Sequence, residues 1–136
     1  GCWGDDHNAM KAGVPFEVPM QGMGCFSFLR SNAPTVGKKF TGFGAEEWYM
    51  AEKTRLNGGR VMCHPAMGWN HRFEWPKRTF PLNMHDKIRN YYIGWLEVYG
   101  SPSHPMIQKM TEHWETLMSR EELFKISQPL FSPLPS

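Results

Sequence analysis

Between Asp86 and Tyr99 the side chains of Ile88, Tyr91, Tyr92, Trp95, Leu96 and Tyr99 return at intervals of three and four residues, and Gly100 follows. That period places six apolar or aromatic side chains along one face of a helix. The simplest use of such a stripe is core packing, so the rest of the chain must supply something to cover it. Two further helices are predicted downstream. Met106 to Leu117 carries Ile107, Met110, Trp114 and Leu117 on one face. Ser119 followed by Glu122 reads as a capping box that opens a short helix through Phe124. The tail from Ser127 to Ser136 holds three prolines and is expected to be irregular. With 136 residues, 40% hydrophobic and 14% aromatic, the chain fits one domain with a substantial core.

The charge balance narrows the function classes. A net charge of +2 comes from lysines and arginines interspersed with acids, so no nucleic-acid partner is expected. No window reaches the roughly 18 to 20 apolar residues of a membrane span, and no secretory leader is visible. Cys2, Cys25 and Cys63 are an odd number at wide spacings, unlike a secreted disulfide framework. The expectation is a soluble protein in a reducing, cytoplasmic setting. The chain opens on Gly1-Cys2-Trp3-Gly4 without an initiator Met, which suggests part of a longer or processed protein.

Chemistry is expected around Phe40-Thr41-Gly42-Phe43-Gly44-Ala45-Glu46-Glu47-Trp48-Tyr49. Glycines permit a sharp turn, and a helix is predicted from Glu46 to Leu56, stopped by Asn57-Gly58-Gly59. Two carboxylates then stand at the positive end of a helix dipole. They either stabilise the helix start or face a cleft and act on a substrate; spacing alone favours the first. Upstream, Pro15 to Met20 suits a short edge segment, Gly22-Met23-Gly24 a turn or a close backbone approach, and Cys25 to Arg30 a buried strand. Arg60 to Pro65 reads as another short strand, which makes a strand, helix, strand unit of an α/β sheet.

Two stretches admit a binding or a structural reading. Trp69-Asn70-His71-Arg72-Phe73-Glu74-Trp75 joins aromatic rings, an imidazole and a guanidinium, as a sugar or nucleotide site does. A buried aromatic cluster would look the same. Asp5-Asp6-His7 offers metal-ligand types, but consecutive residues converge poorly on one ion and a solvated turn accounts for Asp6 and His7 as well.

Taken together, Pro15 to Phe26, Phe40 to Glu47, Asn57-Gly58-Gly59-Arg60-Val61-Met62-Cys63-His64-Pro65, Trp69 to Phe73 and Arg89-Asn90-Tyr91 resemble, in order and spacing, the C-terminal half of a GT-A fold nucleotide-sugar glycosyltransferase. The pattern is similar to family-two-like enzymes of bacteria and phages and, more distantly, to the polypeptide N-acetylgalactosaminyltransferases. It covers about residues 15 to 95. The resemblance implies an α/β fold: a partial GT-A-like mixed sheet with flanking helices and a C-terminal helical segment. Residues 1–100 would form the acceptor-side part and 101–136 a helical extension with an irregular tail.

The same resemblance implies transfer of a sugar from a nucleoside-diphosphate donor to a glycan or other hydroxyl acceptor. A divalent cation, Mn2+ or Mg2+, would neutralise the leaving diphosphate. Glu46 matches the glutamate of the family's Gly-Gly-Glu motif, which binds the donor sugar, and Glu47 the acid that serves as base toward the acceptor. His71 matches the histidine of the metal shell. Gly22, Met23 and Gly24 would line the acceptor or donor-sugar side, with Gly44, Trp69 and Arg72 as further substrate contacts. Two departures stand out. Ala45 occupies the place of a second glycine, and the nucleotide-binding half with its Asp-x-Asp motif has no counterpart, so transfer would need an upstream domain or partner chain. The competing expectations are a non-catalytic carbohydrate-binding or regulatory module derived from this fold, and a small metal-binding protein using Cys63, His64 and His71.

Overall fold

The computed structural model describes residues 11–68 and 82–131. These residues are mixed α/β and mostly helical, with a small antiparallel sheet of two strands, β1 (Phe16–Glu17) and β2 (Met62–Cys63). The helices are α1 (Glu46–Leu56), α2 (Met84–Tyr99), α3 (Pro105–Glu115) and α4 (Arg120–Phe131). The chain divides into two compact units, one drawn from Gly1–Thr35 and Met50–Thr79, the other from Val36–Tyr49 and Phe80–Ser136. Helix α1 therefore gives its first turn to the second of these units and the remainder to the first.

In the first unit, Phe16 faces Cys63 and Glu17 faces Met62, and Val18 N donates to Val61 O at 2.9 Å. Val18, Ala51 and Val61 are buried together, with Phe16 and Cys63 packed against them. Helix α1 stops as its Asn-Gly-Gly run requires. Gly58 takes φ 76°, where a Cβ would be strained. Gly58 N then donates to Arg55 O and Gly59 N to Thr54 O, which satisfies the last carbonyls in a Schellman arrangement.

The stretch Cys25 to Arg30 is not a strand. It runs without a ladder partner into a short 3-10 turn at Arg30–Asn32, and Phe26 and Phe28 are both exposed, their rings edge to face at 5.1 Å. The physical reason is pairing: β2 finds its partner in Phe16–Glu17, and among the described residues no second ladder is offered.

The second unit is a helical layer around the aromatic stripe. Ile88, Tyr92 and Trp95 of α2 meet Ile107, Met110 and Trp114 of α3 and Leu123 of α4 in one buried cluster. The core thus joins α2 to the helices beyond residue 100. Asn83 caps α2 by accepting from His85 N at 2.9 Å, and Gly100 ends it at φ 74°. Pro105 opens α3 at a position that needs no amide hydrogen. Ser119 and Glu122 close the expected capping box: Ser119 N donates to Glu122 Oε2 at 3.2 Å and Glu122 N to Ser119 Oγ at 3.3 Å. Helix α4 then continues past the expected stop at Phe124, through Pro129 to Phe131. Proline forfeits only one hydrogen bond near a helix end, while Ile126 and Leu130 pack against the core.

Gly94 sits inside α2 for a packing reason. A Cβ there would meet Phe40 Cζ and Tyr49 Cδ2 at 3.1 Å each. The bare backbone lets the first turn of α1 come close, and Trp48 stacks on Trp95 with ring centroids 4.4 Å apart.

Candidate functional site

The site is built from a strained loop and a buried amide. Gly42, Gly44 and Ala45 all have positive φ, at 64°, 107° and 75°. For alanine this left-handed conformation costs roughly 1–2 kcal/mol, and it is held because the surroundings fix the loop. Asn90, 1% exposed within α2, accepts from Thr41 N at 3.1 Å and donates through Nδ2 to Thr41 O at 2.7 Å and Gly44 O at 3.2 Å. Arg89 Nη1 adds contacts to Lys39 O at 3.0 Å and Thr41 Oγ1 at 3.3 Å. A Cβ at Gly44 would meet Lys87 Cγ at 2.6 Å, so a side chain there would have to displace Lys87.

The loop delivers the chain into α1, whose first turn holds Glu46 and Glu47. Ala45 O accepts from Tyr49 N at 3.0 Å and so starts the helix. Both glutamates are half-buried. The free N–H groups of a first turn favour negative charge there. Tyr91, one position beyond Asn90, is half-buried as well. Its phenol pKa is raised above 10.0 by burial first, then by the charges of Glu47 and Glu46. A neutral phenol and two carboxylates thus share one neighbourhood. Beside them, Tyr91 and Trp114 have ring centroids 5.6 Å apart, and Lys87 Nζ lies 5.9 Å from the Trp114 ring. The Trp114 indole nitrogen is buried without a hydrogen-bond partner among the described residues.

Among the expected site residues, Glu46, Glu47 and Gly44 come together in the second unit. Gly22 and Met23 are half-buried and Gly24 exposed in the first unit, on the loop that follows β1. Trp69, His71 and Arg72 lie outside the described residues, as do Asp6 and His7. Cys63 pairs with Phe16 in the sheet and His64 is exposed. Among the described residues no three His, Cys, Asp or Glu side chains gather as a metal site needs. No helix among these residues is long and apolar enough to cross a membrane.

Asn90 and Tyr91 belong to a motif quoted from the sequence, but residue types alone gave them no task. The available signal was an asparagine on the same helical face as Gly94, since a polar residue beside a close-approach glycine must find backbone partners. A separate groove of about 1090 Å³ runs along another face of α2; Arg89, Ile93 and Leu96 line it, while Glu46, Glu47 and Tyr91 do not.

The chain matches no family model, no curated protein and no solved structure.

Proposed function

We propose that the chain is the acceptor-side part of a GT-A fold glycosyltransferase, with Glu46 and Glu47 as its working carboxylates. One observation carries this reading: Ala45 adopts the left-handed conformation of a glycine immediately before the paired acids. The related pattern has a glycine at that place, and a left-handed backbone is what glycine adopts without strain. The buried Asn90 explains how the loop keeps it, because the amide saturates three backbone partners across the turn.

The chemistry follows from these positions. An acceptor hydroxyl is a poor nucleophile, and Glu47 takes its proton as the oxygen bonds to the anomeric carbon. The bond from that carbon to the nucleoside diphosphate breaks, and the diphosphate leaves with the bonding pair. Glu46 accepts hydrogen bonds from the donor sugar and so orients the reacting carbon. Tyr91, a phenol neutral at neutral pH and raised further by burial and then by the two acids, is a hydrogen-bond donor there. A divalent cation, when bound, neutralises the diphosphate; His71 is the residue assigned to it by resemblance.

The test is sugar transfer by the natural full-length product, with a panel of nucleoside-diphosphate sugars, glycan acceptors and Mn2+. Glu47→Gln is expected to lower kcat by at least about a hundredfold while leaving the far-ultraviolet circular dichroism unchanged. Transfer at the wild-type rate in Glu47→Gln removes the proposed base. Glycan binding without transfer, indifferent to nucleotide and metal, replaces the enzyme with a carbohydrate-binding module.

A further inference from the structure

The groove along α2 belongs wholly to the second unit and has an ordered chemistry. Its apolar floor is made by Ile93 and Leu96 of α2 and Ile126 and Leu130 of α4. Its cations are Lys38, Lys39, Arg89 and Lys125, set against two carboxylates, Asp86 and Glu97. Glu97 is engaged by the Tyr49 hydroxyl. Lys125 pairs with Glu121 at 2.7 Å, but both side chains are well exposed and such a pair is weak in water. Arg89 reaches Lys39 O and Thr41 Oγ1 of the loop through Nη1.

Helices α2 and α4 run in the same direction. Glu122, near the start of α4, feels the charge of His85 at the start of α2, and Phe131 at the far end of α4 meets Tyr92 edge to face at 5.6 Å. Arg89 and Lys125 therefore lie toward one end of the groove and Leu96 and Leu130 toward the other. From Arg89 to Leu96 the helix rises about 10 Å. Among the described residues no Phe, Tyr or Trp lines the groove, so they offer it no stacking platform for a sugar or a base.

We propose that this groove binds a free anionic amphiphile, a phosphate monoester on a single apolar chain. The phosphate lies among Lys39, Arg89 and Lys125, and the chain runs over Ile93, Leu96, Ile126 and Leu130. Asp86 stands one turn before Arg89 at the same end, so the four cations exceed the two carboxylates by two, and that excess favours a phosphate, which carries about two negative charges, over a carboxylate with one. The concave floor favours one chain over a bilayer surface. This proposal does not rest on the reading of Glu46 and Glu47, which lie on another face.

The experiment is a methyl NMR titration of the chain with decyl phosphate below its micelle concentration, with decanol and inorganic phosphate as the separated parts. The expected result is saturable shifts at Ile93, Leu96, Ile126 and Leu130, with affinity at least tenfold above either part. Lys39→Glu with Lys125→Glu should weaken binding at least tenfold and leave the free protein's core methyl spectrum in place; Leu130→Gln should weaken it through the tail. Decanol or phosphate binding as tightly as decyl phosphate overturns the proposal, as does an unchanged affinity in the charge-reversed variant. Binding only to phosphatidic acid vesicles, or tighter binding of a Glu- and Leu-rich peptide with the same shifts, overturns it in favour of a membrane or a protein partner.

Discussion

The side-chain amide of Asn90 holds Thr41 on both sides of its backbone: Oδ1 accepts from Thr41 N at 3.1 Å and Nδ2 donates to Thr41 O at 2.7 Å. The same Nδ2 reaches Gly44 O at 3.2 Å. Asn90→Ala removes all three bonds, and about 2 kcal/mol of stability should go with them, since Gly44 O is left in a buried place. Asn90→Asp should cost more at neutral pH. Its carboxylate would face two carbonyl oxygens, and acid should relieve part of the loss by protonating it. Urea denaturation at neutral and acid pH measures both; an Asn90→Ala variant within 0.5 kcal/mol of wild type would show that the amide does not hold the loop.

Two buried alanines give an internal comparison. Ala45 and Ala51 are 6% and 5% exposed, but Ala45 has φ 75° and Ala51 is helical. At Ala51, glycine costs about 1 kcal/mol of helix propensity and about 0.8 for the lost methyl. At Ala45 the same methyl is lost and the unfolded chain gains freedom, yet the left-handed strain of roughly 1–2 kcal/mol is relieved. Ala45→Gly should therefore stay within about 1 kcal/mol of wild type and Ala51→Gly should lose about 2. Equal losses in denaturant titrations would mean that no strain is stored at Ala45.

Local signals were legible and distant pairings were not. The stripe from Ile88 to Tyr99, the Asn57-Gly58-Gly59 stop and the Ser119–Glu122 box each act within one or two helical turns, and the structure places all three as expected. The strand expected over Cys25 to Arg30 does not form, although its composition suits a strand better than that of the two residues of β1 that pair. Composition does not encode which edge is available. The three prolines between Ser127 and Ser136 point to an irregular tail, but Ile126 and Leu130 pack on the core and the helix runs through Pro129 to Phe131. Within the candidate site the two acids were visible as residue types. The contact that shapes them joins positions 49 apart in sequence, and no period or motif announces such a bond.

The cap of α4 should titrate. The Glu122 carboxyl is held below its ordinary value chiefly by the Ser119 hydroxyl and then the Ser119 N–H, against desolvation, with His85 and Lys125 adding lesser lowering. A carboxylate lowered in the folded state contributes stability above its unfolded pKa and loses it as pH falls through the folded one. The window is thus below about 4.5. Glu122→Gln should keep the box, since an amide oxygen also accepts, while flattening the acid dependence of amide exchange in α4. Ser119→Ala should cost about 1 kcal/mol at neutral pH. An acid profile identical in wild type and Glu122→Gln would remove the carboxylate from the cap.

Tyr91 reports directly on the two acids. Its phenol is raised above 10.0 by burial, then by Glu47, then by Glu46, so the folded state favours the neutral ring. Linkage gives the sign: the associated stability is fully present below the unfolded value and is lost as pH rises through the folded one. Glu47→Gln removes the larger of the two charge effects. The Tyr91 pKa should then fall toward 10 without reaching it, because burial, the leading cause, is untouched. Glu46→Gln should lower it less, and the two together more than either. The ring-carbon NMR signal of Tyr91, followed through alkaline pH, separates it from Tyr49, Tyr92 and Tyr99. A Tyr91 titration that ignores both substitutions would place the carboxylates too far from the phenol to share a substrate with it. A graded response would make this phenol a probe of ligand charge, since any anion entering beside Glu46 and Glu47 should raise it further and any cation lower it.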